Sequence, residues 1–174
     1  MTHWVFGYGS LIWKADFPFR ERAPGTIRGW ARRFWQGSHD HRGTPSAPGR
    51  VVTLVEAEGA VCRGMAYRIE AAVFDHLDHR EKNGYRRVTL PIELTGAATV
   101  TGTVYLATPD NPAFLGPAPA PEIAAHILGS EGPSGRNVDY FLELVAALEQ
   151  LGVDDPHLDG IHSELRRLGV EGTA

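Results

Sequence analysis

The stretch WVFGYGSL, residues 4–11, determines how the N-terminal part of the chain is interpreted. Its aromatic and β-branched first half predicts a buried strand, which Gly9 and Ser10 then end. A strand that ends at two glycines, Gly7 and Gly9, lets a ligand approach the backbone closely. Successive N–H groups in such a turn can bind a carboxylate or an oxyanion. A tight turn beside a buried strand, without a ligand, is the competing interpretation.

Outward from this stretch, the predicted elements change from strands to helices. Strands are predicted over 27–35, 50–56, 63–69, 85–94 and 98–106, with a loop over 39–49 and one helix over 70–81. The C-terminal part is helical: one helix starts near Pro121, an amphipathic stripe follows over 138–151, and Asp155-Pro156 caps a last helix that reaches Leu168. This order predicts one α+β domain over residues 1–174, with a curved sheet or small barrel covered by helices.

Composition and charge exclude several classes of partner. The chain has 174 residues, of which 17 are basic and 21 acidic, for a formal net charge of −4. It lacks the basic footprint that nucleic acids and anionic membranes select, so neither is expected as a partner. The single cysteine, Cys62, forms no internal disulfide. The N-terminal apolar run has neither the basic start of a signal peptide nor the length of a membrane span, and a cytoplasmic location is expected.

Glu81 is the second candidate for chemistry. It falls near the C-terminal end of the predicted helix over 70–81, where the helix dipole disfavours a negative charge. If this carboxyl group is also partly buried, its pKa rises and it can exchange a proton near neutral pH. The competing interpretation is an exposed glutamate paired with Arg80, Lys82 or Arg86.

Four histidines could form a metal site, although the pattern is weak. His39 and His41 make an HxH pattern, and His76 and His79 lie three residues apart on the predicted helix. Charged neighbours surround the helical pair, as on a solvated face, and no compact third ligand accompanies it. The sequence therefore predicts no metal site.

The remaining nucleophiles and cations give weaker signals. Cys62 lies at a predicted strand start without a local base, which favours a small buried residue over a nucleophile. Ser10 lies on a turn but lacks the GxSxG elbow of a serine hydrolase. One or two of four arginines could bind a substrate carboxylate, although a surface ion pair suits each one better by itself: Arg42, Arg50, Arg63 and Arg68.

Four long motifs together resemble one known family, the ChaC-type γ-glutamylcyclotransferases. They are WVFGYGSLIWKADFPF (4–19), RRFWQGSHDHRGTPSAPGRVVTLVE (32–56), LDHREKNGYRR (77–87) and NPAFLGPAPAPEIAAHILGSEGPSGRN (111–137). The resemblance runs from about Trp4 to Leu148. Several long motifs in the same order make it far more specific than a single glycine pattern.

The resemblance implies a fold, an activity and a site. The fold is a small mixed β-barrel with flanking helices, and the activity is cleavage of glutathione into 5-oxoproline and cysteinylglycine without a metal or nucleotide cofactor. The RE…GY motif of the family matches Arg80-Glu81…Gly84-Tyr85, which makes Glu81 the expected catalytic residue. The expected substrate-binding residues are Val5, Phe6, Gly7, Tyr8, Gly9, Ser10, Leu11 and Tyr85.

Two alternatives and several open points remain at this stage. The same chemistry could act on other γ-glutamyl amino acids or amines, because the sequence does not identify the residues that form the leaving-group pocket. A non-catalytic regulatory protein that binds a γ-glutamyl ligand is the alternative of another class. The C-terminal helices could pack against a second copy in a homodimer, and the segments 39–49 and 132–137 match the family without an assigned role.

Overall fold

The computed structural model describes residues 1–80 and 85–171, apart from the side chain of Arg80. The chain divides into two compact units, of which the first contains Met1–Arg32 and Leu54–Pro112. The second contains Arg33–Thr53 and Ala113–Ala174. Two of the three boundaries fall inside long strands, so no linker marks the division.

Five strands form a closed barrel. They are β1 (Thr2–Gly7), β2 (Glu21–Ser38), β3 (Gly49–Glu70), β4 (Tyr85–Leu94) and β5 (Thr99–Ala107). Their order around the barrel is β1-β3-β2-β4-β5. The β1–β5 pair is parallel, with Val5 opposite Thr103, whereas β1–β3, β2–β4 and β4–β5 are antiparallel. The expected small mixed barrel is therefore confirmed.

The strand β3 differs from the sequence prediction. Two strands were expected, over 50–56 and 63–69, but the structure has one strand of 22 residues. Its middle contains the exposed residues Glu56 and Glu58 and a glycine, Gly59, with φ of +78°. Because this middle lacks the apolar residues that mark a buried strand, the sequence pattern does not show its continuity.

The first unit contains one helix, α1 (Val73–Arg80), and a hydrophobic core. Leu77 of α1 is fully buried, as the predicted helical face requires. Between β1 and β2 the chain makes a single 3₁₀ turn, Ser10–Ile12. The core of the unit includes Val5, Phe6, Ile27, Leu54, Ala66, Tyr67, Ile69, Ile92 and Val104.

The second unit is mainly helical. It contains α2 (Ala120–Leu128), α3 (Asn137–Gln150), α4 (Pro156–Arg167) and a two-residue ribbon of β6 (Glu131–Gly132) and β7 (Gly135–Arg136). The predicted cap of α4 is confirmed, because Asp155 Oδ1 accepts hydrogen bonds from the N–H groups of His157 and Leu158. Most side chains of the predicted stripes are buried: Ile123, Ile127, Val138, Phe141, Leu148, Leu158, Ile161 and Leu165. The others are half-buried (Leu142, Val145 and Leu151) or exposed (Leu128 and Leu168), and Leu144, which was not predicted, is buried.

Within the described part of the chain, no helix combines the length and the apolar character needed to cross a bilayer.

Candidate functional site

Two buried side chains hold the loop that follows β1, both through its carbonyl oxygens. Arg32 Nε donates a hydrogen bond of 2.7 Å to the carbonyl oxygen of Tyr8. Tyr67 Oη donates one of 2.6 Å to the carbonyl oxygen of Leu11. Arg32 is 3% exposed and Tyr67 is fully buried. The backbone of the WVFGYGSL stretch is therefore fixed at both ends of the turn.

The carbonyl oxygens between these two points are also engaged, whereas two N–H groups are not. The Gly9 carbonyl accepts from the N–H of Ile12 at 2.9 Å, and the Ser10 carbonyl accepts from that of Lys14 at 2.7 Å. Among residues 1–80 and 85–171, no group accepts a hydrogen bond from the N–H of Gly9 or of Leu11. Both residues are buried. Since buried N–H groups are nearly always paired in folded proteins, these two donors mark a place for an acceptor.

Two glycines allow the chain to fold back at this point. A Cβ atom on Gly7 would lie 2.6 Å from the Cβ of Leu11, closer than side chains can pack. A Cβ on Gly64 of β3 would overlap the carbonyl oxygen of Gly7. The glycine requirement in the WVFGYGSL stretch is therefore steric, as expected for a close backbone approach.

The C-terminal end of β5 contacts this loop, the helix before the RE…GY motif and the last residue of that motif. The hydroxyl of Tyr8 donates to the Tyr105 carbonyl at 2.6 Å. Tyr85, the first residue of β4, pairs with Ala107. The hydroxyl of Tyr105 donates to Asp78 Oδ1 at 2.7 Å, near the end of α1. Asp78, shortly before Glu81 in the sequence, and Tyr85, shortly after it, thus both contact the strand that holds the loop.

The contact between Tyr105 and Asp78 fixes the last turn of α1. Burial and the hydrogen bond to Asp78 raise the pKa of the Tyr105 phenol well above its usual range, so this group stays a neutral donor. Arg87 Nε lies 3.5 Å from Asp78 Oδ1, and its guanidinium covers the ring of Phe74. The side chains of Tyr105, Asp78 and Arg87 therefore fix the position of the end of α1.

The predicted site residues divide by exposure. Val5 and Phe6 are buried in the core of the first unit, and Tyr8 is 7% exposed with its hydroxyl bound to β5. Ser10 and Tyr85 are half-buried. Any contact of the first three with a ligand would therefore involve mainly the backbone. Glu81 lies outside the described residues, and its catalytic assignment stays a prediction.

The histidines do not come together as a set of ligands. His76 and His79 are exposed on α1, which fits the solvated face expected from their charged neighbours. His41 Nδ1 lies 3.1 Å from the hydroxyl of Ser134. In the part of the chain that the structure describes, no three His, Cys, Asp or Glu side chains are grouped as metal ligands would be.

Protein groups bind the side chains of Arg42, Arg50 and Arg68, which were considered for carboxylate binding. Arg68 forms an exposed ion pair of 2.7 Å with Glu21. Arg42 donates to the carbonyl oxygen of Arg136 at 3.1 Å, and its guanidinium covers the ring of Tyr140. Arg68 therefore forms a surface ion pair, as the sequence analysis favoured, and Arg42 has a structural role in the second unit.

The two segments without an assigned role, 39–49 and 132–137, pack against each other in the second unit. The N–H of Ser134 donates to the carbonyl of His41, and a Cβ on Gly132 would overlap that same carbonyl oxygen. The side-chain amide of Asn137 accepts from the Arg50 N–H at 2.7 Å and donates to its carbonyl at 2.8 Å. These motif residues therefore hold the start of β3.

Sequence reasoning missed Arg32, Tyr67, Asp78 and Tyr105. Arg32 and Tyr67 lie 24 and 56 residues from the backbone atoms that they bind. A signal was present for Arg32, because a charged residue among the aromatic residues of a predicted strand needs a buried polar partner. Its partner depends on the barrel register and could not be named from the pattern.

Comparisons with known proteins agree with this architecture. The family model described as "ChaC-like protein" matches residues 3–168. The chain is 46% identical to γ-glutamylcyclotransferase 2-3 of Arabidopsis thaliana, over 97% of this chain and 90% of that protein. It is 42% identical to glutathione-specific γ-glutamylcyclotransferase 1 of Danio rerio, over 93% of this chain and 88% of that protein.

A solved structure shows the same fold. The crystal structure of the glutathione-specific γ-glutamylcyclotransferase from yeast superimposes with a TM-score of 0.89 at 32% identity. The superposition covers 95% of this chain and 96% of the yeast chain. Both the barrel and the helices therefore have counterparts in that enzyme.

Proposed function

The chain belongs to the family of ChaC-like proteins, and from this premise we propose that it is a γ-glutamylcyclotransferase that cleaves glutathione into 5-oxoproline and cysteinylglycine. One structural observation supports the site. The loop with two unused N–H groups, Asp78 before the RE…GY motif and Tyr85 at its end converge on the end of β5. The anion site and the described residues on either side of the candidate base therefore belong to the same end of one strand.

The reaction is a ring closure within the substrate. The α-amine of the γ-glutamyl group attacks its own γ-carbonyl, a C–N bond forms, and the bond to the cysteinyl nitrogen breaks. Because both reacting groups belong to one molecule, holding it folded can lower the barrier by several kcal/mol. The enzyme therefore needs to bind the γ-glutamyl group in a bent conformation and to move one proton.

Glu81 is the residue that we assign to the proton. A free α-amine has a pKa of about 7.7–8.0 and must be neutral to attack. Glu81 accepts a proton from this amine and gives one to the departing cysteinyl nitrogen, so no net proton is consumed. The assignment comes from the motif Arg80-Glu81…Gly84-Tyr85, whose described neighbours Asp78 and Tyr85 both lie at the end of β5.

The loop after β1 supplies the anion site in this proposal. The N–H groups of Gly9 and Leu11 bind the negative oxygens of the γ-glutamyl group. Tyr85 orients the glutamyl end through its hydroxyl. Because the loop recognises only the γ-glutamyl half, it does not by itself select the leaving group.

The first experiment incubates the purified protein with reduced glutathione and measures 5-oxoproline and cysteinylglycine. We expect both products in equal amounts. We expect Glu81→Gln to lower turnover by about 10²- to 10⁴-fold, the range for removal of a general acid–base group. Circular dichroism and thermal unfolding verify that the variant is folded.

Turnover of Glu81→Gln close to that of the parent would remove Glu81 as the base. Rates with γ-glutamyl-alanine and with γ-glutamyl-ε-lysine test the choice of substrate. Similar kcat/KM for all three compounds would replace glutathione specificity by a broader γ-glutamyl activity. Absence of products from every compound would contradict the proposed function.

A further inference from the structure

The buried guanidinium of Arg32 occupies a defined place beside the loop. Gly7 is the last residue of β1 paired with β3, opposite Met65. Beyond this pair, Arg32 donates to the carbonyl of Tyr8, one residue after Gly7, at 2.7 Å. Through Nη2 it donates to the carbonyl of Arg63, two residues before Met65, at 2.5 Å. Arg32 therefore connects β1 and β3 just where their own ladder stops.

The hydrogen bond to Tyr8 also sets the direction of the next N–H group. The described chain has no cis peptide bond, so the carbonyl of Tyr8 and the N–H of Gly9 lie in one peptide plane and point in opposite directions. With the carbonyl directed to Arg32, the Gly9 N–H is directed away from it. This N–H is buried, and no residue of 1–80 or 85–171 accepts its hydrogen bond.

Arg32 also strengthens this donor. A hydrogen bond from a charged guanidinium polarises the Tyr8–Gly9 peptide, which makes its N–H group more positive. The guanidinium adds a permanent positive charge in a buried place, where electrostatic interactions are weakly screened. Direction, polarity and charge thus all favour an anion on the Gly9 side of the peptide.

We propose that Arg32 is a positioning residue that aims the Gly9 N–H at the α-carboxylate of the γ-glutamyl substrate. This inference rests on the proposed function and names one donor and one acceptor within it. The α-carboxylate suits the site because its charge, like that of Arg32, is permanent. An oxyanion at the γ-carbonyl carries its charge only during the reaction.

The test measures binding rather than turnover, in the Glu81→Gln background so that the substrate persists. The ligands are glutathione and its analogue with 4-aminobutanoate in place of glutamate, which keeps the amine and the γ-carbonyl but lacks the α-carboxylate. Arg32→Met removes both donors and the charge, and Arg32→Lys keeps the charge. Arg28→Met is the matched control, since Arg28 lies on the same strand in an exposed pair with Glu93.

We expect Arg32→Met to weaken glutathione binding by about 10- to 100-fold and to leave binding of the analogue within about twofold. Arg32→Lys should restore part of the affinity, and Arg28→Met should bind as the background does. With Glu81 present, Arg32→Met should raise KM for glutathione and change kcat little, because the contact exists before the transition state.

Two results would overturn the inference. Equal weakening of both ligands would mean that Arg32 only maintains the loop, and a fall in kcat at constant KM would assign the donor to the oxyanion. The proposed function is judged separately, by turnover of glutathione in the parent protein. A parent that binds glutathione in an Arg32-dependent way without turnover would contradict the function and support the inference.

Discussion

Two buried arginines, Arg32 in the first unit and Arg50 in the second, use the same chemistry for different ends. They are 3% and 5% exposed, and both donate to backbone carbonyls. Arg32 binds the carbonyl of Tyr8, whereas Arg50 Nη1 binds those of Phe34 and Gly116 at 2.9 and 3.1 Å. Both residues connect chain segments that are distant in sequence, at the cost of burying a charge.

The two arginines differ in the nitrogen atom of the peptide whose carbonyl oxygen they bind. Gly116 is followed by Pro117, whose nitrogen carries no hydrogen, so Arg50 fixes a peptide that has no donor to offer. Tyr8 is followed by Gly9, whose buried N–H has no acceptor among the described residues. Of the Gly116–Pro117 and Tyr8–Gly9 peptides, the second alone has an N–H group left for a ligand.

The largest effect that we predict is on the stability of Arg50→Met. This variant leaves the carbonyls of Phe34 and Gly116, and Nδ1 of His126, without their donor. We expect the free energy of unfolding in urea to fall by about 3 kcal/mol. The folded fraction should keep kcat/KM for glutathione within about threefold.

Arg68→Met is the control for this prediction. Its exposed ion pair with Glu21 should contribute little to stability, so its loss should be far below that of Arg50→Met. If Arg50→Met instead kept its stability and lost affinity for glutathione, the contrast between the two arginines would be wrong.

The second prediction concerns the loop that Arg32 holds. In Gly7→Ala, the new Cβ would lie 2.6 Å from the Cβ of Leu11, so the turn must shift. Because displacements of about an ångström in a site are costly, we expect kcat/KM for glutathione to fall by about 100-fold. Initial rates over a range of glutathione concentrations, corrected for the folded fraction, test this prediction. A kcat/KM equal to that of the parent would show that the loop does not touch the substrate.

The features that depend on neighbouring residues could be predicted from the sequence. The strand, the glycine turn and the Asp155 cap follow from side-chain pattern and backbone chemistry within a few residues. Arg32 could not be assigned, because its role depends on which loop the barrel closure places beside β2. The strand β3 could not be predicted as one element, since its exposed middle lacks the apolar residues that mark a buried strand.

The third prediction concerns the acid sensitivity of the second unit. His157 Nε2 accepts a hydrogen bond of 3.0 Å from the N–H of Phe34, and burial together with the charge of Arg33 lowers its pKa to about 4. The unfolded chain, with a histidine pKa of about 6.5, binds this proton first. The stability that neutral His157 contributes is therefore complete above pH 6.5 and is lost as the pH falls toward 4.

We expect this loss to be about 2 kcal/mol between pH 7 and pH 4, reduced from the full linkage value because the ring is only half-buried. His157→Gln keeps an acceptor for Phe34 and removes the titration. Urea unfolding at both pH values measures the difference between variant and parent. Equal acid destabilisation of the two proteins would assign the pH dependence to other groups.

The smallest predicted effect is the counterpart of Gly7→Ala. Gly160 lies inside α4, where a new Cβ would meet only the Cβ of Ala120 at 3.8 Å, an ordinary packing distance. Because alanine favours a helix interior over glycine, we expect Gly160→Ala to raise the free energy of unfolding by about 0.5–1 kcal/mol. Turnover of glutathione should not change.

Replacement of glycine by alanine would then lower kcat/KM at position 7 and raise stability at position 160. The reason is that, of these two glycines, only Gly7 has the backbone and side chain of Leu11 directly against it. A destabilised Gly160→Ala would mean that α4 needs its glycine for a close contact, and the steric distinction between the two positions would fail.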